Sequence, residues 1–373
     1  MKRAESGQVG DTKALVGQMP LGPWLLVIGM HRSGTSAVTG ALGRLGFAVP
    51  VEGDRWEPSP DNPDHWESRA LGHYRDLLLE RIGGTWDRPP DPHSGVEAFE
   101  DIDGELEDPS LPASRAFPKP GAVLWKDPRT CLLLPYWRAH LPGPLAAVFI
   151  WRQPLAVAKS LRARDRMHLA DGVALWERYN RCAIEGLSGV DTFVIRYEEI
   201  IDDPTEQIGA IANWLKGLPQ FAPLAPSWDL SRAVETISME LQRQPSSEGE
   251  DDLVLPEQQK LVALLSSLEG PHRPFVASMD GQESAWTEAI LRDRQQLAVL
   301  SRQREELRDT ARRLWFDADA AATQIDRLRV RIQAVEGEIS DMVEQYEKMQ
   351  ASTSWRLTRP LRRFAELRSG GRS

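Results

Sequence analysis

The segment Gly29-Met30-His31-Arg32-Ser33-Gly34-Thr35-Ser36 has the residue types of an anion-binding loop. Its glycines permit a tight turn, and the hydroxyls of Ser33, Thr35 and Ser36 add hydrogen-bond donors. It follows the apolar run Trp24 to Ile28, which reads as a buried strand. It opens residues 34–46, where Val38, Leu42 and Leu45 fall on one helical face. A helix starting there presents free N–H groups to an anion. A nucleotide-binding P-loop reads G-x-x-x-x-G-K-[ST]. Here Thr35 stands at the lysine position, and the cation, Arg32, lies inside the loop. That change argues against an ordinary ATPase or kinase. The alternative is a plain glycine turn that binds nothing.

Together these residues resemble the 5′-phosphosulfate loop of sulfotransferases that use 3′-phosphoadenosine-5′-phosphosulfate (PAPS), where Arg-Ser-Gly-Thr-Thr or Lys-Ser-Gly-Thr-Thr is common. Arg152, at the end of the run AAVFIW, and Ser160, in WRQPLAVAKS, match the Arg and Ser with which that family grips the 3′-phosphate. Trp125-Lys126-Asp127-Pro128-Arg129 is similar to a segment of bacterial and Golgi-type members that act on carbohydrates or protein side chains. Ile195-Arg196-Tyr197-Glu198 resembles the strand end whose Tyr packs near the adenine. The resemblance covers roughly residues 22–275.

The resemblance implies PAPS as co-substrate and no metal. It assigns Arg32, Ser33, Gly34, Thr35 and Ser36 to the 5′-phosphate and the transferring sulfuryl group, and Lys126 as a second cation. It puts Arg152 and Ser160 on the 3′-phosphate, and Tyr197 beside the base. Lys126 is otherwise a solvated or ion-paired lysine at a strand end. An acceptor hydroxyl needs a general base. Related members carry an Asn-Pro-x-Gly-Tyr-x-Glu stretch where this chain has Asn62-Pro63-Asp64-His65-Trp66-Glu67-Ser68. The match is approximate, because His65 and Trp66 replace the Gly and the Tyr and Glu67 stands one residue before the motif's Glu. It gives the base to Glu67, with His65 as second candidate; otherwise Glu67 is a solvent-exposed loop carboxylate. Trp56, Trp66 and Trp86 form either an aromatic wall for a sugar or part of the core or a lid.

These residues need a scaffold that brings strand ends together. Ala122 to Trp125, Ala146 to Trp151 and Thr192 to Arg196 read as strands. Pro154 and Pro204 stand where helices start, and Ile208, Ile211 and Leu215 share one face. A short helix is expected at 257–268. Strands alternating with helices predict an α/β fold, a P-loop-type mainly parallel sheet flanked by helices. Residues 88–120, rich in Pro, Asp and Glu, read as a loop or insertion. Residues 219–256 are Pro-rich and then acidic.

The last quarter has a different period. From Leu307 through Ala311, Leu314 and Ala318 to Met349, small and apolar residues recur in alternating steps of four and three. That is a heptad seam, extended less cleanly back to Trp286. It predicts a long C-terminal coiled-coil helix and a homo-oligomer; the alternative is an amphipathic helix packed on the globular part. Arg304 and Gly337 weaken the seam locally. The final segment, with Trp355, Leu357, Leu361 and Phe364 among arginines, resembles the STSWRLT-x-PLR tails of bacterial cell-surface glycan enzymes. It suits an anionic membrane surface, a glycan-biosynthesis enzyme as partner, or a frayed polar tail. The expected divisions are a flexible N-terminus at 1–21, the sulfotransferase domain at 22–275, the coiled coil at 283–350 and the basic tail at 351–373.

Composition bounds the partners. The 373 residues carry a formal net charge of −10, which argues against nucleic acid. Two cysteines, Cys131 and Cys182, make neither a disulfide framework nor a metal motif. The N-terminus has no apolar segment of the signal type, and no run approaches ~18 apolar residues. A cytoplasmic protein is expected, peripheral to the inner membrane if the tail binds there. The leading expectation is sulfuryl transfer to a hydroxyl of a carbohydrate or cell-surface glycan. A P-loop kinase or NTPase, or a non-catalytic coiled-coil scaffold on a degenerate nucleotide fold, are the alternatives.

Overall fold

The computed structural model describes residues 22–57, 66–90, 106–240, 254–279 and 281–352. The sequence-based expectations for the N-terminus, His65, residues 91–105 of the acidic insertion and nearly all of the basic tail fall outside these residues. Strand β1 (Trp24–Ile28) is buried at every position. It pairs in parallel with β2 (Val123–Lys126) on one side and β3 (Leu145–Trp151) on the other. β4 (Asp191–Arg196) extends the parallel set beside β3. β5 (Gly270–His272) closes the edge antiparallel to β4. The order is β2-β1-β3-β4-β5.

Period-two alternation divides the core between the two sheet faces. Trp24, Leu26 and Ile28 join one cluster; Leu25 and Val27 join the other. The first face is covered by α2 (Arg69–Arg81), α3 (Ser110–Ala116), α4 (Thr130–His140), α5 (Pro154–Asp165) and α6 (Leu169–Gly186), whose Tyr74, Ala113, Trp137, Val157 and Trp176 are buried there. The second is covered by α1 (Thr35–Gly43), α7 (Tyr197–Asp202), α8 (Pro204–Lys216) and α9 (Leu230–Glu240). This is the α/β sheet with helices on both faces that the sequence predicts. Pro154 and Pro204 open α5 and α8, where the missing N–H has no cost.

The structure adds elements to the expected set. α2, α4 and α6 carry no advance signal, α3 lies inside the segment read as a loop, and α9 lies inside the Pro-rich and acidic stretch. α10 (Pro256–Ser267) falls where a short helix is expected. α11 runs over Ala285–Ala351.

The chain forms two compact units, divided after Gln296. The first turns of α11 belong to the first unit: Leu291 is buried in its core, with Trp286 and Ile290 packed against it. Glu177 on α6, fully buried, accepts hydrogen bonds from Ser284 N at 2.9 Å, Ser284 Oγ at 2.8 Å and Thr287 Oγ1 at 2.8 Å. In the second unit α11 continues as one helix, and its seam residues, among them Leu307, Leu314, Ile332 and Met349, are exposed. Among the described residues, no helix is long and apolar enough to cross a membrane.

Candidate active site

Four parallel strands end at one edge, and their C-terminal ends bring distant residues together. In such sheets ligands bind at this edge, where the chain order reverses. Here that point lies between β1 and β3, since β1 connects onward to β2 on its other side.

The loop from Gly29 to Gly34 leaves β1 and enters α1. A Cβ on Gly29 would lie 2.1 Å from the Ile150 carbonyl oxygen, so only glycine lets the loop pass β3. A Cβ on Gly34, whose φ is 86°, would lie 2.2 Å from the Tyr197 ring. Arg32 has φ 70°, a left-handed conformation that is unfavourable for a residue with a side chain. Its Nε donates to Ser160 Oγ on α5 at 2.8 Å. Its carbonyl accepts from an Arg152 guanidinium N–H at 3.1 Å. The Arg152 guanidinium lies over the Tyr197 ring at 4.3 Å and 4.0 Å from Glu198 Oε1. Trp176 Nε1 donates to the Arg152 carbonyl at 2.8 Å, fixing the end of β3.

The β2 end supplies the other half. Lys126 Nζ donates to Ser36 Oγ at 3.1 Å and pairs with Glu67. Lys126 is buried and Glu67 half-buried. Behind them Arg75 on α2 pairs with Asp127; both are buried. Asp127 Oδ1 also accepts from the Arg129 backbone N–H at 2.9 Å. Glu67 precedes Ser68, whose Oγ caps α2 by accepting from Leu71 N at 3.1 Å and donates to Asp54.

His31 reports the local field. Burial, then the positive charges of Arg129, Arg164, Lys126 and Arg75, hold its pKa well below the usual imidazole range, so it is neutral. Its ring meets Trp86 at 4.9 Å and Tyr179 at 5.9 Å. The loop therefore sits in a positive field although the chain is acidic. Ser33 Oγ is buried there with no hydrogen-bond partner. Helix α1 contributes further N–H groups, since the first turn of a helix has no internal acceptors.

Every site residue expected from the sequence that the structure describes stands at this edge. Arg32, Arg152, Ser160 and Tyr197 gather on the β3 and β4 side, and Lys126, Ser36 and Glu67 on the β2 side. Tyr197, expected near a base, packs against Arg152 and the loop glycine. The three tryptophans have separate neighbours: Trp56 meets His73 at 5.4 Å, Trp66 lies under Arg55 at 4.6 Å, and Trp86 meets His31. Arg75, Arg129, Glu198 and Trp176 were not legible as site residues. Arg129 and Glu198 lie inside recognised segments; Arg129 NH1 reaches Asp76 outside them, and Glu198 meets Arg152 of another recognised segment. Burial pushes both cysteine thiols up, Cys182 to about 12, so neither is a nucleophile at neutral pH. Among the described residues no His, Cys, Asp and Glu group could hold a metal ion.

An edge with a strained arginine loop, a second buried cation and an adjacent carboxylate suits transfer of an anionic group. A model described as "Sulfotransferase family" matches residues 23–223, more than half of the chain. A search of curated proteins finds no match. Similar solved structures include the sulfotransferase domain of the curacin biosynthetic pathway, 14% identical, covering 73% of this chain and 97% of that one at a TM-score of 0.34. Another is the sulfotransferase domain of the Synechococcus PCC 7002 olefin synthase, 15% identical, covering 74% and 95% at 0.34. A third is a sulfotransferase from Mycobacterium tuberculosis H37Rv, 15% identical, covering 61% and 78% at 0.34. On the family match, with the loop and the strand-end residues in place, the chain belongs to the Sulfotransferase family.

Proposed function

We propose that this protein transfers a sulfuryl group from PAPS to a hydroxyl of a carbohydrate acceptor. The carrying observation is the junction of Arg32, Ser160 and Arg152 at the end of β3, beside a phosphate loop whose lysine position holds Thr35. Arg152 and Ser160 take the 3′-phosphate by charge-assisted hydrogen bonds. The loop N–H groups and Arg32 take the 5′-phosphate. The acceptor oxygen forms the new bond to sulfur as the bond from sulfur to the bridging phosphate oxygen breaks. The electron pair leaves with the 5′-phosphate, and the acceptor proton passes to Glu67. Arg32 and Lys126 act where negative charge grows in the transition state. Such transfer depends on alignment and charge neutralisation and needs no covalent intermediate. A carbohydrate acceptor is supported by the resemblance of the Trp125–Arg129 segment and of the C-terminal tail.

Calorimetry with 3′-phosphoadenosine-5′-phosphate, against ADP and AMP, tests the donor. Arg152→Ala is expected to weaken that binding by about 2–3 kcal/mol, the scale of a lost hydrogen bond to a charged group. Unchanged affinity removes Arg152 from the 3′-phosphate. Glu67→Gln is expected to keep nucleotide affinity and slow transfer by ~10²–10⁴, the usual worth of a general base. Equal transfer rates in the two proteins remove Glu67 as base.

The exposed heptad seam of the second unit pairs with a second copy of the chain. The cut that tests this belongs after Gln296, because residues 285–296 help build the first unit. A chain ending at Gln296 is expected to be monomeric by light scattering and to retain nucleotide binding. A truncated chain that stays oligomeric overturns the seam's role.

A further inference from the structure

The β2 side of the site pairs Lys126 with Glu67 and Arg75 with Asp127. Arg129 is the cation there with the weakest partner. Its NH1 lies 3.9 Å from Asp76 Oδ1. That oxygen is already taken by Arg75, through NH2 at 2.9 Å and Nε at 3.2 Å. The Nε of Arg129 is buried without a hydrogen-bond partner, and so is Nε2 of His31, a residue only 9% exposed. Arg164 on α5 reaches the same neighbourhood. Its guanidinium lies over the Trp86 ring at 5.3 Å and pairs with Asp165, Nε to Oδ2 at 2.8 Å and NH2 to Oδ2 at 2.7 Å, and its side chain is 28% exposed. Arg129 and Arg164 are the two charges that act most strongly on His31, whose ring also faces Trp86. Two arginines, a neutral imidazole and an indole thus share one place beside the transfer site.

Trp86 is held there firmly. Its carbonyl accepts from Tyr179 Oη at 2.7 Å. The next carbonyls are also taken: Asp87 O by Arg294 Nε at 3.1 Å, Pro89 O by Gln295 Nε2 at 3.0 Å and Pro90 O by Arg178 NH1 at 2.6 Å. The backbone that carries the ring is thereby fixed.

From this arrangement we infer that the acceptor is an anion, whose charged group is held by Arg129 and Arg164 beside Trp86. The inference rests on the sulfuryl-transfer reading and names the substrate class of that site. The Arg129 guanidinium, whose Asp76 partner lies 3.9 Å away and is shared with Arg75, would gain a charge-assisted partner from a bound carboxylate or acid ester. Such local charge is also what an acceptor of this kind needs, since the chain as a whole carries −10 and repels anions. Carboxylate and sulfate ester present the same chemistry to two guanidinium groups.

The test measures binding to the full chain loaded with 3′-phosphoadenosine-5′-phosphate. The probes are 4-nitrophenyl β-D-glucoside, its 6-sulfate, and 4-nitrophenyl β-D-glucuronide. The expected result is that one or both charged glycosides bind ~10-fold or more tightly than the neutral one. Which of them gains identifies the acid. Arg129→Gln combined with Arg164→Gln is expected to erase the preference and leave nucleotide affinity unchanged. Arg164→Gln alone, at a partly exposed position, is expected to reduce it and serves if the double variant does not fold. Equal binding of charged and neutral glycosides, or binding of none, overturns the inference. Loss of nucleotide affinity in the variants also overturns it, because the arginines then serve the donor. A wild-type chain that fails to bind the nucleotide overturns the sulfuryl-transfer reading itself, and this loading step identifies that case separately.

Discussion

Arg32→Ala is expected to lower turnover by about two to three orders of magnitude, the cost of losing one preorganised transition-state donor. Arg32 Nε is anchored by Ser160 at 2.8 Å, so the side chain is oriented before any substrate arrives. Its backbone carbonyl holds Arg152, and alanine preserves that carbonyl. Turnover should therefore fall much further than affinity for 3′-phosphoadenosine-5′-phosphate. Stability should move little in the alanine variant, because a Cβ remains at φ 70°. Arg32→Gly should relieve that strain by ~1 kcal/mol while losing the same activity. Single-turnover rates, calorimetry and urea unfolding separate the three effects. Near-normal turnover in either variant would remove Arg32 from the chemistry.

The second large effect is on the fold beneath the site. Asp127→Ala is expected to destabilise the protein by about 3–5 kcal/mol, since it strands the buried Arg75 guanidinium. The remaining acid, Asp76, is 47% exposed and compensates poorly. The same substitution removes the acceptor for the Arg129 N–H at the start of α4. Replacing both partners, as Arg75→Met with Asp127→Leu, should recover much of the loss, because no charge is then left buried. The urea midpoints of the three proteins decide this. An Asp127→Ala protein as stable as the wild type would mean that Arg75 is satisfied without it.

These two residues mark the limit of what the sequence makes legible. Arg32 is visible because everything that identifies it is local: an apolar run, glycines, hydroxyls and a helical period within a few residues. Arg152 and Ser160 are visible for the same reason, on either side of a strand end and a Pro154 helix start. Asp127 falls in a recognisable segment, but its partner Arg75 is 52 residues away, and nothing near Arg75 announces a buried ion pair. Helix α6 shows the same limit. Its buried surface includes Glu177, Arg178, Asn180 and Arg181, and these polar residues interrupt the apolar period that betrays a helix.

By itself, then, the sequence determined the local pieces. It set the strand-loop-helix of the phosphate site, the apolar runs that become buried strands, the proline helix starts and the heptad seam. Each depends on backbone geometry with a period of two to seven residues, so neighbours in the chain carry the signal. The tertiary structure alone decided which pieces meet. Lys126 finds Glu67 across 59 residues, Arg32 finds Ser160 across 128, and Arg294 finds Asp87 across 207. Those pairings follow from the order of strands in the sheet and from which helix covers which face. Both are set by the packing of the whole core, and no short stretch of sequence contains them.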